Sequence, residues 1–388
     1  MSLLPQGRRS TPALTTDAPI TDVRSKHTTK YLLSGAAIGG GLAASGMALI
    51  KIADRAFSAP WYRGPVTDHF DGDRFHSPSP MKQHTFYDFI RWQIKRKPGY
   101  WDKWTQSEPG ESPPERVEGS GLRVTYVNHA TVLIQMAGLN LLTDPVWSYR
   151  VSPVKWLGPR RHRDPGIAFK DLPPIDAVLI SHNHYDHLDL PTLRRLARAH
   201  RPQFITGLGN RLLLEPSGVR NSIELDWWQS VDLSSETRVT CVPAQHFSAR
   251  ALSDRDRTLW CGFVIQGAAG TVYFSGDTAM GPHFELIQKQ FGDIRLALLP
   301  IGAYLPRWFM KPVHISPADA VAVHKLLGAS TSVAIHFGTF RLADDGQYEP
   351  LAALGYALAR EGEPGPRFWV LAFGEGRDIP GLATLPDD

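Results

Sequence analysis

Asp176-Ala-Val-Leu-Ile180 runs directly into Ser181-His182-Asn183-His184-Tyr185-Asp186-His187. The first stretch is short, apolar and β-branched at Val178 and Ile180, so it reads as a buried strand. The second places His182, His184, Asp186 and His187 within six residues. Such a loop is poor material for a core and good material for a metal site. Neutral imidazoles and a carboxylate suit zinc and neighbouring divalent ions. Four ligands in one loop crowd a single tetrahedral ion, so the spacing points to two. His182 and His184 project alike toward one ion, while Asp186 and His187 can face a second. Two metals about 3.5–4 Å apart share a bridging water and a bridging carboxylate.

Outward from this loop, short apolar or β-branched runs alternate with turn residues from Leu122 onward. The predicted strands are Leu122–Val127, Thr131–Met136, Asn140–Thr143, Asp176–Ile180, Gln203–Thr206, Thr237–Val242, Leu259–Ile265, Thr271–Ser275, Leu296–Pro300 and Val333–Ile335. Helical spacing falls between them, at Pro191–His200, Phe284–Phe291, Pro317–Leu327 and Glu349–Arg360. Many strands with helices in the intervals imply a layered α/β domain with helices on its outer faces. Polar ligand types recur where strands end: His246 after Val242, Asp277 after Ser275, and His336 after Ile335. Sites on loops held by a rigid sheet are the expected placement. Each is ordinary alone, since a lone histidine after a strand is usually structural. Together they supply the two further histidines and the bridging acid that the loop lacks.

These residues carry a resemblance to the metallo-β-lactamase fold superfamily: the His-x-His-x-Asp-His loop, then His, Asp and His in order. A closer resemblance, to the N-acyl-phosphatidylethanolamine-hydrolysing phospholipase D family, rests on Tyr126–Thr131, Leu142–Pro145, Leu172–Asp189, Ile223–Trp228 and Pro300–Met310, and spans about residues 65–375. The run Ile301-Gly-Ala-Tyr304 with Pro306-Arg-Trp-Phe-Met310 is the more specific mark. Leu305 stands where that family has an acidic residue, and Asn128 where it has glycine. The resemblance implies a four-layer αβ/βα sandwich with an N-terminal apolar segment. It implies two zinc ions, with iron or manganese also suited to the ligand set. His182, His184 and His246 would hold one, Asp186, His187 and His336 the other, and Asp277 would bridge. It further implies phosphodiester hydrolysis of a glycerophospholipid, N-acylphosphatidylethanolamine first, with Asp186 and Asp277 orienting the nucleophile. His314 matches a position beside the active site, suited to donating to a phosphate oxygen. Arg160, Arg161 and Arg163 are candidates to attract the headgroup. Tyr304, Trp308, Phe309 and Met310 are candidates for an acyl channel. Another hydrolase on the same scaffold (a lactonase, a β-lactamase or a small-substrate phosphodiesterase) stays open, as does a non-catalytic lipid-binding protein.

The rest of the chain sets bounds. At 388 residues and a formal net charge of +4, it has room for a sizeable core and no concentrated basic stripe beyond Arg160–Arg163. Nucleic acid is therefore not an expected partner. The expected partners are a phospholipid substrate and a membrane surface, with the oligomeric state open, a homodimer included. Cys241 and Cys261 fit no zinc-finger or redox spacing; two buried thiols and a disulfide are both compatible. Residues 1–30 read as a disordered basic tail. Residues 31–50 run without a charge, about the length of a bilayer span. A membrane or signal anchor, an export signal cleaved near Ala56-Phe57-Ser58, and a flexible Gly/Ala segment all fit. Residues 51–120 form a lead-in, within which Phe86, Phe89, Ile90 and Ile94 predict an amphipathic helix over His84–Arg96. The catalytic domain is expected over 121–375 and a tail over 376–388.

Overall fold

A computed structural model describes residues 51–81, 84–108, 110–362, 365 and 367–382. Residues 31–50, where an anchor is one expectation, lie outside the described residues, as does the basic tail. The chain divides into two units between Ala53 and Asp54, and both sheets belong to the second. Among the described residues, no helix is long and apolar enough to cross a membrane.

The strands of the first sheet are β1 (Leu122–Asn128), β2 (Thr131–Met136), β3 (Leu139–Thr143), β4 (Ala177–Ile180), β5 (Gln203–Gly207) and β6 (Ser222–Leu225). Those of the second are β7 (Ser230–Asp232), β8 (Arg238–Val242), β9 (Gly262–Gly267), β10 (Gly270–Phe274), β11 (Leu296–Pro300), β12 (Thr331–Ile335) and β13 (Phe368–Trp369). The chain then returns as β14 (Gly376–Asp378) to the first sheet. The orders are β14-β1-β2-β3-β4-β5-β6 and β13-β12-β11-β10-β9-β8-β7. In the first sheet β3 to β6 run parallel and β14 to β3 antiparallel. In the second, β10 to β13 run parallel and β7 to β10 antiparallel.

Central strands such as β2, β4, β11 and β12 are buried along their whole length. Strands covered on both faces need continuous apolar runs, which is why these are legible as strands. Between the sheets lies a core that includes Tyr126, Ile134, Phe263 and Leu298. Helix α2 (Leu190–Ala199) closes the outer face of the first sheet through Leu193 and Leu196, against Val178, Ile180 and Phe204. Helices α3 (His283–Phe291), α5 (Pro317–Leu326) and α6 (Glu349–Ala359) contribute Phe284, Ile287, Val321, Val323 and Leu354 to the core that includes the second sheet. The result is the αβ/βα sandwich. Helix α5 begins where Ser316 and Asp319 cap each other's backbone N–H groups. Cys241 and Cys261 are buried free thiols.

The lead-in folds as part of this unit. Phe70 and Phe75 pack on Ala244, Leu259 and Trp260. Helix α1 (Phe86–Lys95) starts at a Thr85/Asp88 capping box, and Trp92 is its buried residue. A short α4 (Arg307–Met310) follows Pro306.

Candidate metal centre

Both sheets end their strands at one place, and the candidate ligands stand there. The loop after β4 brings His182, His184, Asp186 and His187; β8 leads to His246, β10 to Asp277 and β12 to His336. Gly276 lets the β10 turn seat on the metal loop: a Cβ there would fall 2.6 Å from that of Ser181, and its φ is +58°. His336 (φ 61°), Asp144 (φ 33°) and His129 (φ 49°) are non-glycine residues in the left-handed region around the same point. Such backbone persists only where surrounding contacts over-determine it.

The nitrogens of three histidines converge at one pole. His184 Nδ1 lies 2.8 Å from His182 Nε2 and 3.3 Å from His246 Nε2. At the other pole, Asp186 Oδ2 lies 3.3 Å from His187 Nε2 and 3.6 Å from His336 Nε2. Asp277 Oδ2 sits between them, 3.2 Å from Nε2 of both His187 and His336, 3.8 Å from that of His246 and 4.0 Å from that of His182. Nε2 of His187 and His336 and Oδ1 of Asp277 are buried without a hydrogen-bond partner among the described residues. Buried polar atoms are ordinarily paired. Here lone pairs are aimed at shared points, so the donor set fits divalent cations, which supply the missing partner.

Electrostatics agree with that fit. Burial pushes His184 and His246 down to about 3 and His182 well below the ordinary imidazole range, so these rings are neutral and free to ligate. Burial also opposes a charge on His187 and His336. Asp277 and Asp186 outweigh it at both, aided at His187 by Asp144, raising His187 strongly and His336 to about 9. Asp186 and Asp277 are held well below the carboxylate range: burial acts to raise them, and the histidines, His187 first, prevail. The two carboxylates hold positive charge at this point, as protons on histidines where no metal does so.

A second ring of groups orients these ligands, and sequence reasoning assigns two of its members no role. Asp144 accepts from His187 Nδ1 at 2.6 Å and from the Ser181 backbone N–H and hydroxyl at 2.7 and 2.6 Å. His187 Nε2 is thereby turned to the centre. His129 is neutral, its pKa lowered by burial to about 3, with Nε2 3.0 Å from Asp186 Oδ2. His246 Nδ1 donates to the Val313 carbonyl at 2.8 Å. Such partners fix tautomer and ring orientation. In sequence they are marked by position, since His129 and Asp144 also follow strands, β1 and β3, and by lying within Tyr126–Thr131 and Leu142–Pro145, two stretches that carry the family resemblance.

His314 is brought to the centre. It is buried, its Nδ1 is 4.0 Å from Asp277 Oδ2, and its ring centroid lies 5.1 Å from that of His246. The arginines divide. Arg161 is buried, donating from Nε to Ser148 O, from Nη2 to Val146 O and from Nη1 to Arg163 O, so it braces loops. Arg163 lies over Phe373 at 4.0 Å, and Arg160 donates to the Tyr149 hydroxyl at 3.3 Å. None of these contacts turns to the centre. A residue singled out by no motif, Arg250, is the guanidinium next to the metal loop, 3.8 Å over the Tyr185 ring and donating to Asn183 O and Leu188 O. It lines a cleft of about 610 Å³ with Arg150, Lys155 and Arg194. Tyr304 and Met310 are buried, Phe309 is stacked on Trp92 at 4.7 Å, and Trp308 is exposed. Phe309 therefore packs as core on the inner side of α1, and Trp308 faces solvent. Asn128 donates to Val146 O at 3.2 Å.

Comparison with known proteins places this geometry. Residues 139–337 match the family described as "Beta-lactamase superfamily domain". The chain is 39% identical over 269 residues to the N-acyl-phosphatidylethanolamine-hydrolyzing phospholipase D 1 of Caenorhabditis elegans, covering 66% of this chain and 75% of that protein. It is 34% identical over 244 residues to the mitochondrial N-acyl-phosphatidylethanolamine-hydrolyzing phospholipase D of Saccharomyces cerevisiae, covering 61% of this chain and 52% of the yeast protein. Among solved structures, Igni18, a metallo hydrolase from Ignicoccus hospitalis, superposes with a TM-score of 0.51 at 19% identity, over 68% of this chain and 100% of the other. That likeness speaks for the fold.

Proposed function

This chain is a metal-dependent hydrolase of the metallo-β-lactamase superfamily and belongs with the N-acyl-phosphatidylethanolamine-hydrolysing phospholipase D relatives, and from that premise we propose that it cleaves N-acylphosphatidylethanolamine at a membrane surface. The products are phosphatidic acid and an N-acylethanolamine. The observation that carries the reading is Asp277 Oδ2, one carboxylate oxygen within 4.0 Å of histidines from both poles. A site with two poles and a shared carboxylate suits in-line displacement at phosphorus, where attacking and leaving oxygens both need stabilising.

Two divalent ions, zinc first and iron or manganese by the same donor set, supply Lewis acidity and lower the pKa of water toward neutrality. His182, His184 and His246 would hold one such ion and Asp186, His187 and His336 the other, with Asp277 standing between the two groups of residues. His129 keeps the Asp186 carboxylate turned inward, and Asp144 holds the His187 proton on Nδ1 so that Nε2 stays a donor of electrons. With its proton on Nδ1, His314 donates to a phosphoryl oxygen of the bound diester. Arg250 and its cationic neighbours give the adjoining cleft a charge that suits the phosphatidyl side.

The test is product mass spectrometry on the purified, metal-loaded full chain, given N-acylphosphatidylethanolamine vesicles, an acyl lactone, nitrocefin and bis-p-nitrophenyl phosphate. Phosphatidic acid and N-acylethanolamine should form together, and His182→Ala with Asp277→Asn should lower their rate by about 10³-fold or more. Lactone opening without lipid cleavage would overturn the substrate; undiminished lipid cleavage by the double variant would overturn the site.

A further inference from the structure

Helix α1 keeps its apolar face outward. Phe86 is 73% and Ile94 78% exposed, and Tyr87, Phe89 and Ile90 stand exposed beside them. Only Trp92 is buried among the residues of the helix. The side that meets the domain is instead Trp92 with Arg96: the indole stacks on Phe309 at 4.7 Å and donates to Asp344 at 3.0 Å, and Arg96 donates to Asp344 at 2.7 Å. The exposed face is thus held rigidly in place by its opposite side. Trp308, 44% exposed on α4, extends it.

The exposed charges beside this face are basic, and the one acidic side chain of the helix, Asp88, is engaged in the capping box with Thr85. Arg91, Lys95 and Lys97 are exposed, and among the described residues no ion pair engages them. Arg91 lies 5.2 Å over the Trp308 ring. Lys95 and Lys97 border a pocket of about 270 Å³ whose wall is otherwise Leu305, Pro306, Trp308, Trp92 and Asp344. The Asp344 carboxylate is already taken by Trp92 and Arg96. An apolar arc with a cationic margin suits a surface that is apolar inside and anionic at its rim. A helix of this pattern lies in the plane of a lipid interface with its apolar side among the acyl chains. Contiguous apolar exposure of this kind is uncommon without a partner.

We propose that α1 and Trp308 form the face on which this enzyme docks to an anionic phospholipid surface, with Lys95 and Lys97 receiving lipid phosphate. The proposal rests on the phospholipid reading above and adds where the bilayer meets the protein. Position also supports it. The Ser79 backbone and the Gln245 amide exchange hydrogen bonds at 3.1 and 2.9 Å, one residue before His246. Asp344 tethers the other end of α1. One anchor of the segment that carries α1 therefore adjoins the metal-centre residue His246, and the other holds the helix itself.

The test reads binding without turnover, on phosphatidylcholine vesicles with and without phosphatidylglycerol, neither of which is the proposed substrate. The full chain carries a nitrobenzoxadiazole label through Ile94→Cys, or through Glu236→Cys before the N-terminal end of β8, away from the metal centre; Cys241 and Cys261 are buried and escape labelling. The label at 94 should brighten and shift to the blue with anionic vesicles, and that at 236 should not. Phe86→Ser with Ile90→Ser and Ile94→Ser should weaken vesicle binding by about tenfold or more, with an unchanged melting temperature. Lys95→Glu with Lys97→Glu should remove the preference for anionic vesicles. A label at 94 that stays dark while the protein floats with vesicles would overturn the proposal in favour of another segment, residues 31–50 first. A label already blue-shifted in buffer would overturn it in favour of a second copy or the chain's own segment covering the face. Absence of any vesicle binding would also overturn it. Each of these leaves the hydrolysis result standing on its own, and failure of lipid hydrolysis leaves the binding result readable.

Discussion

The floor of the site and the strap beside its mouth are built by opposite means. The floor is assembled from strand ends. Ligand-type residues follow β4, β8, β10 and β12, and their supports His129 and Asp144 follow β1 and β3. Two buried sheets fix those ends, so side-chain placement there is inherited from the core. The strap, the described residues between 54 and 120, has little regular structure besides α1. Besides the packing of Phe70 and Phe75 on Trp260, point contacts hold it: Ala59 to Asp254, Ser77 to the His246 carbonyl, Ser79 to Gln245, Trp92 and Arg96 to Asp344, and Trp101 to the Asp345 carbonyl. One region should therefore fail chemically when a single group is changed, with the fold intact. The other should loosen locally and leave the chemistry in place.

The largest expected effect within that contrast belongs to the floor's supports. Asp144→Ala removes the acceptor of the His187 Nδ1 proton and of two Ser181 donors. Loss of such a partner lowers metal affinity or activity by about 10–100-fold. His129→Ala should act in the same direction through Asp186, its one side-chain partner at the centre. Metal content after dialysis, read beside the turnover rate, checks both. Full metal retention with unchanged turnover would show that the strand ends alone suffice and that the supports are ornament.

The same contrast explains what is legible in the sequence. The predicted metal ligands are brought together because their signal is local: a ligand residue type directly after a buried apolar run. His129 and Asp144 have the same position, but their role lies in hydrogen bonds to residues 57 and 43 positions away. No short window contains both partners. Strands show the same limit. The unpredicted β6, β7, β13 and β14 are the outermost strands of the two sheets. They are short and partly exposed, so they lack the continuous apolar run that reveals a central strand. Residues expected as a tail thus supply β14. Arg161 invites a headgroup role because arginine suits phosphate, yet it is a brace; nothing in Arg160–Arg163 says which guanidinium is turned inward. For α1 the helical period is right, and the sequence cannot tell which side meets protein.

Metal removal sharpens the comparison through pH. In the chelated protein, burial opposes a proton on His336, and Asp277 and Asp186 outweigh it, holding its pKa at about 9. The unfolded value is roughly 6.5. A folded pKa above the unfolded one gives stability that is fully present below about pH 6.5 and lost as pH rises through about 9. His187 is raised too and acts in the same direction. His184, His246 and His314, lowered to about 3, are neutral in the folded state, and with an unfolded value of about 6.5 they add stability as pH rises until about pH 8, above which they contribute no further change. The chelated protein should therefore lose melting temperature as pH rises from about 8 through about 9, and the metal-loaded protein should not, because its ligands hold no such proton. Thermal melts of both forms at several pH values decide it. Parallel curves would mean that the carboxylates are not balanced by ligand histidines.

The smallest effect is at the strap. Asp344→Ala strands the Trp92 indole N–H, which is buried, and leaves Arg96, which is partly exposed, with its bond to the Ala343 carbonyl. A buried donor left unpaired costs about 1–3 kcal/mol, and the exposed half of the Arg96 pair adds little. The Asp345 carboxylate, bonded to Ala303 N at 3.1 Å, stays in place and keeps the loop after β11 fixed. The melting temperature should fall modestly, metal content should hold, and hydrolysis of a small soluble phosphodiester should stay within about twofold. Turnover of vesicle substrate should fall more than that, because α1 is then held in place by fewer contacts. The ratio of the two rates is the reading that matters. Equal losses on soluble and vesicle substrate would mean that the strap supports the metal floor directly, through Gln245 and His246, and that the two regions are one.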